Sequence, residues 1–320
     1  RSRRQRQMCI RDRKVSALDS VGGWLSHLFE YISGSLKEVT FEVYALEDIK
    51  AADGESEDYY KKDDLIATIT TDETGVAKLT DLPLGKYYVK EKETANGYVL
   101  DGTAREIDLT YRDQDTAEVT YSSDWQNNRQ KAEVKVLKKE KDSDRVLEGA
   151  VFALCNKEDI VNANGDVILK ADTVIEEQAT DKEGNLTFTA DLPIGYTYYV
   201  KETSPAPGFA TTDQVQEFTF EYDGADKETL SYEFTFEDEP TVVEITKTSL
   251  TDGKELEGAK LEVTDEDGKV VDSWTSGKEA HIIKELVAGK KYTLTETKPA
   301  DGYVTCLLYT SPSPRDRSLS

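Results

Sequence analysis

Residues 192–209 read LPIGYTYYVKETSPAPGF, and this run decides the fold. Leu-Pro-x-Gly is a turn: Pro presets its own φ, and Gly supplies a conformation that other residues resist. Behind the turn, Tyr196, Tyr198 and Val200 alternate with Thr197, Tyr199 and Lys201, the period of a strand with one buried face. The run occurs three times. It appears upstream as LPLGKYYVKEKETANGY (82–98) and downstream as LVAGKKYTLTETKPADGY (286–303). Glu91 to Gly97, Glu202 to Gly208 and Glu296 to Gly302 are equal gaps.

A second block keeps step with the first. FEVYALEDI (41–49) returns as FALCNKEDI (152–160) and then as LEVTDEDG (261–268), 111 and 109 residues apart. Phe41 to Glu91 and Phe152 to Glu202 each span 50 residues. Coincident spacings of this kind mark an internal repeat with a period near 110. AEVKVL (132–137), EFTFEY (217–222), YEFTFE (232–237) and VVEITK (242–247) alternate as strands, and Asn164-Gly165, Glu183-Gly184 and Asp267-Gly268 punctuate them. The expected fold class is all-β: tandem two-sheet β-sandwich repeats, immunoglobulin-like or prealbumin-like, in three units with the first and last truncated. Repeat 1 covers 34–128 and lacks a first strand, repeat 2 covers 129–240 and is complete, and repeat 3 covers 241–305.

The ends read differently. RRQRQMCIRD (3–12) and CLLYTSPSPRD (306–316) are what two transposase-type sequencing adapters encode, and the two underlying strings are partly reverse complements. Residues 1–13 and 306–320 are therefore expected to be adapter-like scars, unpacked and outside the fold; a basic targeting arm with a Ser/Pro tail is the alternative. Between the first scar and repeat 1, KVSALDSVGGWLSHLFEYIS (14–33) matches neither sister unit and stays unassigned. Leu18, Val21, Trp24, Leu25, Leu28, Phe29 and Ile32 would share a helix face, although Gly22-Gly23 disfavours one.

The 320 residues carry a net charge of −24; without the eight Arg and two Asp of the end segments, 32 basic and 62 acidic residues leave −30. So acidic a chain repels nucleic acid and anionic membrane, and neither is an expected partner. Frequent Tyr, Thr and Val separate it from acidic chains that stay disordered. With Cys9 and Cys306 in the ends, Cys155 stands alone as an expected buried thiol.

V-x-V-x-K, then G-A-x-F, then L-P-x-G-x-Y-x-V-x-E-T-x-x-P-x-G-Y resembles the collagen-adhesin B-type, or SpaA-type pilin, repeat of Gram-positive surface proteins. The resemblance covers about 34–305. It implies a cell-wall-attached, secreted stalk protein without enzyme activity or cofactor, each domain of which cross-links itself. In that family a Lys on the first strand joins an Asn or Asp on the last, assisted by a Glu from the Y-x-V-x-E strand. Carried onto this sequence, the donor of repeat 2 is Lys138, the acceptor Asp238 and the assisting residue Glu202. Repeat 1 offers Glu91 with Asn127 or Asn128 and no matching Lys; repeat 3 offers Lys247 and Glu296 and no acceptor. Burial disfavours charged forms, so an amine and a carboxyl enclosed together are poised to condense, with the second carboxyl moving the proton. The plain alternative is a surface Lys–Glu pair, which contributes little.

Two other function classes compete. A ligand-binding adhesin would read collagen, glycan or another host surface through these sandwiches themselves, and a host-matrix or glycan partner is also expected through a tip domain outside this monomeric fragment; Trp125, placed after a strand end, and Trp274, within one, form no evident aromatic platform. An enzyme or metal protein would have only His27 and His281 as histidines. NANGD (162–166) and DEDG (265–268) lack the ligand spacing of a calcium loop and read as hairpin turns.

Overall fold

A computed structural model describes residues 7–22, 28–51, 56–113, 119–249, 252–304 and 309–311. Among them there is no helix. The first unit holds β1 (Gln7–Gly22), β2 (Leu28–Ser35), β3 (Thr40–Ala45), β4 (Leu65–Thr70), β5 (Val76–Thr80), β6 (Lys86–Glu93), β7 (Arg105–Asp108) and β8 (Thr120–Asn127). The second holds β9 (Lys131–Glu140), β10 (Val151–Asn156), β11 (Ile160–Val161), β12 (Val167–Leu169), β13 (Val174–Ala179), β14 (Asn185–Phe188), β15 (Tyr196–Ser204), β16 (Val215–Phe220) and β17 (Thr229–Asp238). The third holds β18 (Val242–Ile245), β19 (Lys260–Thr264), β20 (Val270–Thr275), β21 (His281–Lys284), β22 (Tyr292–Lys298) and β23 (Tyr309–Ser311).

One sheet recurs in each unit. Its order is β4-β3-β6-β7, then β13-β10-β15-β16, then β20-β19-β22-β23. The repeated Tyr-rich run supplies β6, β15 and β22, and its Glu falls opposite the same position each time: Phe41↔Glu91, Phe152↔Glu202 and Leu261↔Glu296. The facing sheet of the middle unit sets β9 between β14, antiparallel, and β17, parallel. First and last strands running parallel mean that the chain enters the unit at one end and leaves at the other. Between the sheets lies a core that includes Val134, Val136, Phe152, Leu154, Tyr198, Val200, Phe220 and Phe236. Unit one has its own core, including Phe41, Val43, Tyr87, Val89, Ile107 and Trp125.

Four of the turns between successive strands close through a side chain. Asp72, Asn162, Asp181 and Asp265 each accept, at one side-chain oxygen, the N–H groups two and four residues on, at 2.8–3.2 Å. NANGD and DEDG are two of these turns. The closing Gly of the Tyr-rich motif also has one conformation throughout, with φ of +89° at Gly97, +87° at Gly208 and +85° at Gly302, a region costly for residues with a Cβ.

Three expectations are corrected. The first strand of unit one is not missing: Gln7–Arg11 pairs antiparallel with β5, and Gln7–Lys14 pairs parallel with β8, as β9 does with β14 and β17. The strand that fills the slot belongs to the segment set aside as a scar. Backbone ladders bond through N–H and C=O groups that every non-Pro residue carries, so an extended segment of any origin can occupy an open slot. The same holds at the other end, where Tyr309–Ser311 adds to the edge of β22; the remainder of 306–320 lies outside the described residues. The described residues of segment 14–33, 14–22 and 28–33, are also not helical: β1 continues to Gly22 and pairs antiparallel with β2. Phe29 from β2 joins the core of unit two, and the Tyr31 hydroxyl donates to the Asp191 carbonyl at 2.8 Å. Finally, Trp125 lies within β8 rather than beyond a strand end, its ring buried against Phe41 at 4.9 Å.

Candidate functional site

Alternation along β9 turns Val134, Val136 and Lys138 inward, and along β17 it turns Phe236 and Asp238 inward. Glu202 comes from β15 in the opposite sheet. All three ionisable side chains have 0% exposure. Lys138 Nζ donates to Asp238 Oδ1 and lies 2.9 Å from Glu202 Oε1. Apolar walls close the site: Nζ sits 5.6 Å from the centroid of the Phe152 ring, which packs on Phe236 at 4.8 Å. The Thr212 backbone N–H holds Glu202 Oε2 at 3.0 Å and fixes the carboxyl.

Burial pushes both the Glu202 and Asp238 carboxyls above the usual range. Asp238 Oδ2 is buried and has no hydrogen-bond partner, and Glu202 Oε1 is buried with the Lys138 amine beside it. A proton on a carboxyl oxygen would turn an orphaned acceptor into a donor, consistent with the upward shifts.

In unit one Glu91 and Asn127 meet. Asn127 Nδ2 donates to Glu91 Oε1 at 2.6 Å, Thr94 Oγ1 at 3.0 Å and the Val99 carbonyl at 3.0 Å. Asn127 is thus the residue that faces the interior, and Asn128 is exposed. The position in register with Lys138 is Asp12: Lys138 stands opposite Phe236 on the last strand, and Asp12 opposite Trp125. In unit three Lys247 Nζ lies 3.1 Å from Glu296 Oε1, and no counterpart of β17 stands beside β18 among the described residues.

Sequence reasoning missed two repeated devices. The backbone N–H ten residues after the Glu binds its Oε2 in both units, from Asp101 at 2.8 Å and from Thr212 at 3.0 Å. A buried hydroxyl also pins the start of the strand that carries the Phe. Thr180 donates to the Leu147 carbonyl at 2.7 Å and accepts the Ala150 N–H at 3.1 Å, and Thr71 does the same with Leu36 and Val39 at 2.8 and 3.0 Å. The signal was the Thr before each Asp turn, Thr71-Asp72 and Thr180-Asp181. Cys155 is buried, which pushes its thiol up and away from reactivity. Among the described residues no three His, Cys, Asp or Glu side chains group as metal ligands, and no helix is long and apolar enough to cross a membrane.

The family model SpaA, a prealbumin-like fold domain, matches residues 32–125, 132–234 and 241–307. The chain belongs to this family. Among solved structures it is similar to the Bacillus anthracis TIE protein, with 24% identity and a TM-score of 0.55 over 95% of this chain and 48% of that one. It thus spans about half of that protein's length. It is also similar to BcpA, the major pilin subunit of Bacillus cereus, at 15% identity and a TM-score of 0.40 over 98% and 93% of the two chains. The shaft pilin SpaA of Lactobacillus rhamnosus GG matches at 17% identity and a TM-score of 0.27, over 74% of this chain and 98% of that one. No curated protein sequence matches. SpaA-family membership agrees with three prealbumin-like units in tandem.

Proposed function

We propose that the chain is a load-bearing stalk segment of a secreted, cell-wall-attached surface fibre of a Gram-positive bacterium, and that its middle unit closes itself with a Lys138–Asp238 isopeptide bond. One observation carries the reading: amine, acceptor carboxyl and second carboxyl meet with no solvent exposure in an apolar enclosure. Enclosing a charged triad is costly, and apolar residues of similar volume stabilise a core at least as well, so stability alone does not account for it.

The chemistry balances as a condensation. Lys138 Nζ, as the free amine, attacks Asp238 Cγ, and the protonated carboxyl loses its hydroxyl. Nζ–Cγ forms, Cγ–O breaks, Glu202 carries the amine proton to the departing oxygen, and one water leaves. Strands locked in register replace an encounter by a fixed geometry, worth about 7–11 kcal/mol in favourable cases. The middle unit turns over once, on itself, without cofactor or metal.

Peptide mapping tests this. Proteolysis of the purified chain should release a branched peptide joining the Lys138 segment to the Asp238 segment. Recovery of both as separate linear peptides would leave a plain spacer.

A further inference from the structure

The connection from the first strand to the Phe-bearing strand differs between units. Lys14 stands opposite Asn127 as Glu140 stands opposite Asp238, so the connection runs over 15–39 in unit one and over 141–150 in unit two. In unit one it forms a hairpin of β1 and β2 that extends past the last strand of the unit, and β1 comes beside β12 of unit two. Phe29, 7% exposed, lies in the hydrophobic core of unit two, and Tyr31 packs against that core. The Tyr31 hydroxyl donates to the Asp191 carbonyl at 2.8 Å, while Arg129, 3.5 Å from the centre of the Tyr31 ring, pairs with the Asp191 carboxylate. Asp191 directly precedes Leu-Pro-Ile-Gly, and Glu285 holds the same place before Leu-Val-Ala-Gly in unit three. Unit two grips Glu285 with Arg145, from its shorter connection, at 2.5 and 3.0 Å. That pair is half exposed and contributes little. Among the described residues no core cluster joins side chains of units two and three, as Phe29 joins units one and two.

We propose that this hairpin is a strap that fastens units one and two into one rigid body, leaving the second joint the more pliant. Backbone bonds hold both joints alike. The Gln130 N–H bonds to Gly97 and the Thr241 N–H to Gly208, each at 2.9 Å, and a further bond reaches the next unit at each joint, Leu100 to Ala225 at 2.8 Å and Glu285 to Thr241 at 3.0 Å. At the second joint the Thr241 hydroxyl adds a bond to the Leu286 carbonyl at 2.6 Å. What differs is the strap. Tilting unit one against unit two would draw Phe29 out of an apolar core into water and strip the Asp191 carbonyl of its buried donor. Tilting unit three exchanges polar groups for water and exposes no shared core. A stalk so built keeps its first two units in line and yields to sideways load between the second and third. The strap acts whether or not Lys138 and Asp238 are bonded.

Backbone amide relaxation of the full chain, read by NMR as a rotational correlation time for β6, β15 and β22, one strand per unit, is the test. In the parent chain β6 and β15 should share one time, and β22 should show a shorter one. Phe29→Ala combined with Tyr31→Ala should separate β6 from β15, with β6 the shorter. Arg145→Ala should leave β6 and β15 matched and shorten β22 further. Tyr31→Phe keeps the ring and removes the bond to Asp191, so it probes the same contact without opening the core of unit two: amide exchange across β2 should quicken while exchange across β15 stays as it was. If the double variant unfolds unit two, Tyr31→Phe decides alone. Separate times for β6 and β15 in the parent chain, or one time for all three units, would overturn the inference. So would matched times for β6 and β15 in a folded double variant, or unchanged exchange across β2 in Tyr31→Phe.

Discussion

Lys138, Glu202 and Asp238 come from three strands and share one enclosure, so removing any of them leaves charge or an acceptor without a partner. Lys138→Ala strips both carboxyls of their cation, and breaking a buried pair costs about 3–5 kcal/mol. The loop it would otherwise close spans 100 residues, for which the disulfide analogy gives about 4.7 kcal/mol through the unfolded state. Denaturant unfolding of the variant should therefore fall by several kcal/mol, and an unchanged midpoint would show that the triad contributes nothing. Glu91 allows a pH test. Burial pushes its carboxyl above the ordinary value of 4.5. A raised folded value means that its contribution is full below pH 4.5 and is lost as pH rises through the folded value. Glu91→Gln should thus gain stability relative to the parent chain between acid and neutral pH; a difference that stays constant with pH would refute the assignment. The three residues were named through the family resemblance, and strand alternation agreed with them on which side chains face inward. The choice between Asn127 and Asn128 was not legible, since it depends on the phase of β8 against its neighbours. Nor were the clamps from the Asp101 and Thr212 amides, because a backbone N–H leaves no mark on residue type.

At the scale of elements, the turn between β13 and β14 holds β9 in place. Gly184 has φ +73°, and a Cβ there would stand 2.7 Å from the Lys138 carbonyl oxygen and 2.8 Å from Val146 Cβ. Gly184→Ala should cost at least about 1–2 kcal/mol for the left-handed backbone alone. It should also displace the strand that carries the amine, slowing water loss during refolding; a normal rate would mean that register at Lys138 tolerates movement. Strands and turns were readable from alternation and from the dipeptides Asn164-Gly165, Glu183-Gly184 and Asp267-Gly268. What could not be read was β1, where neither Arg-rich composition nor mismatch to the sister units prevents backbone pairing. Helical spacing of apolar residues was likewise overridden in 14–22 and 28–33, because two strands side by side satisfy each other's N–H and C=O groups.

Across the whole molecule, contacts bridge the units. Gln130 is fully buried at the first junction: its N–H donates to the Gly97 carbonyl of unit one at 2.9 Å, while its side chain, within unit two, donates to the Gly224 and Lys227 carbonyls at 3.1 and 2.7 Å and accepts the Asp223 N–H at 3.0 Å. Arg129 stacks on Tyr31 at 3.5 Å and pairs with Asp191. At the second junction Thr241 N–H donates to the Gly208 carbonyl at 2.9 Å, and the Glu285 N–H to the Thr241 carbonyl at 3.0 Å. Tension applied end to end enters unit two along β9 and leaves along β17. A Lys138–Asp238 bond would carry it past the intervening chain. Single-molecule pulling should then fail to release the roughly 33–36 nm that 100 residues reach when extended, and full extension in the parent chain would show that no bond is present. The most direct measurement is the intact mass of the purified 320-residue chain. Unit two alone brings donor, acceptor and assisting carboxyl together among the described residues, so the account predicts a mass lower than the sequence value by one water, restored in Glu202→Gln; the full sequence mass in the parent chain would contradict it.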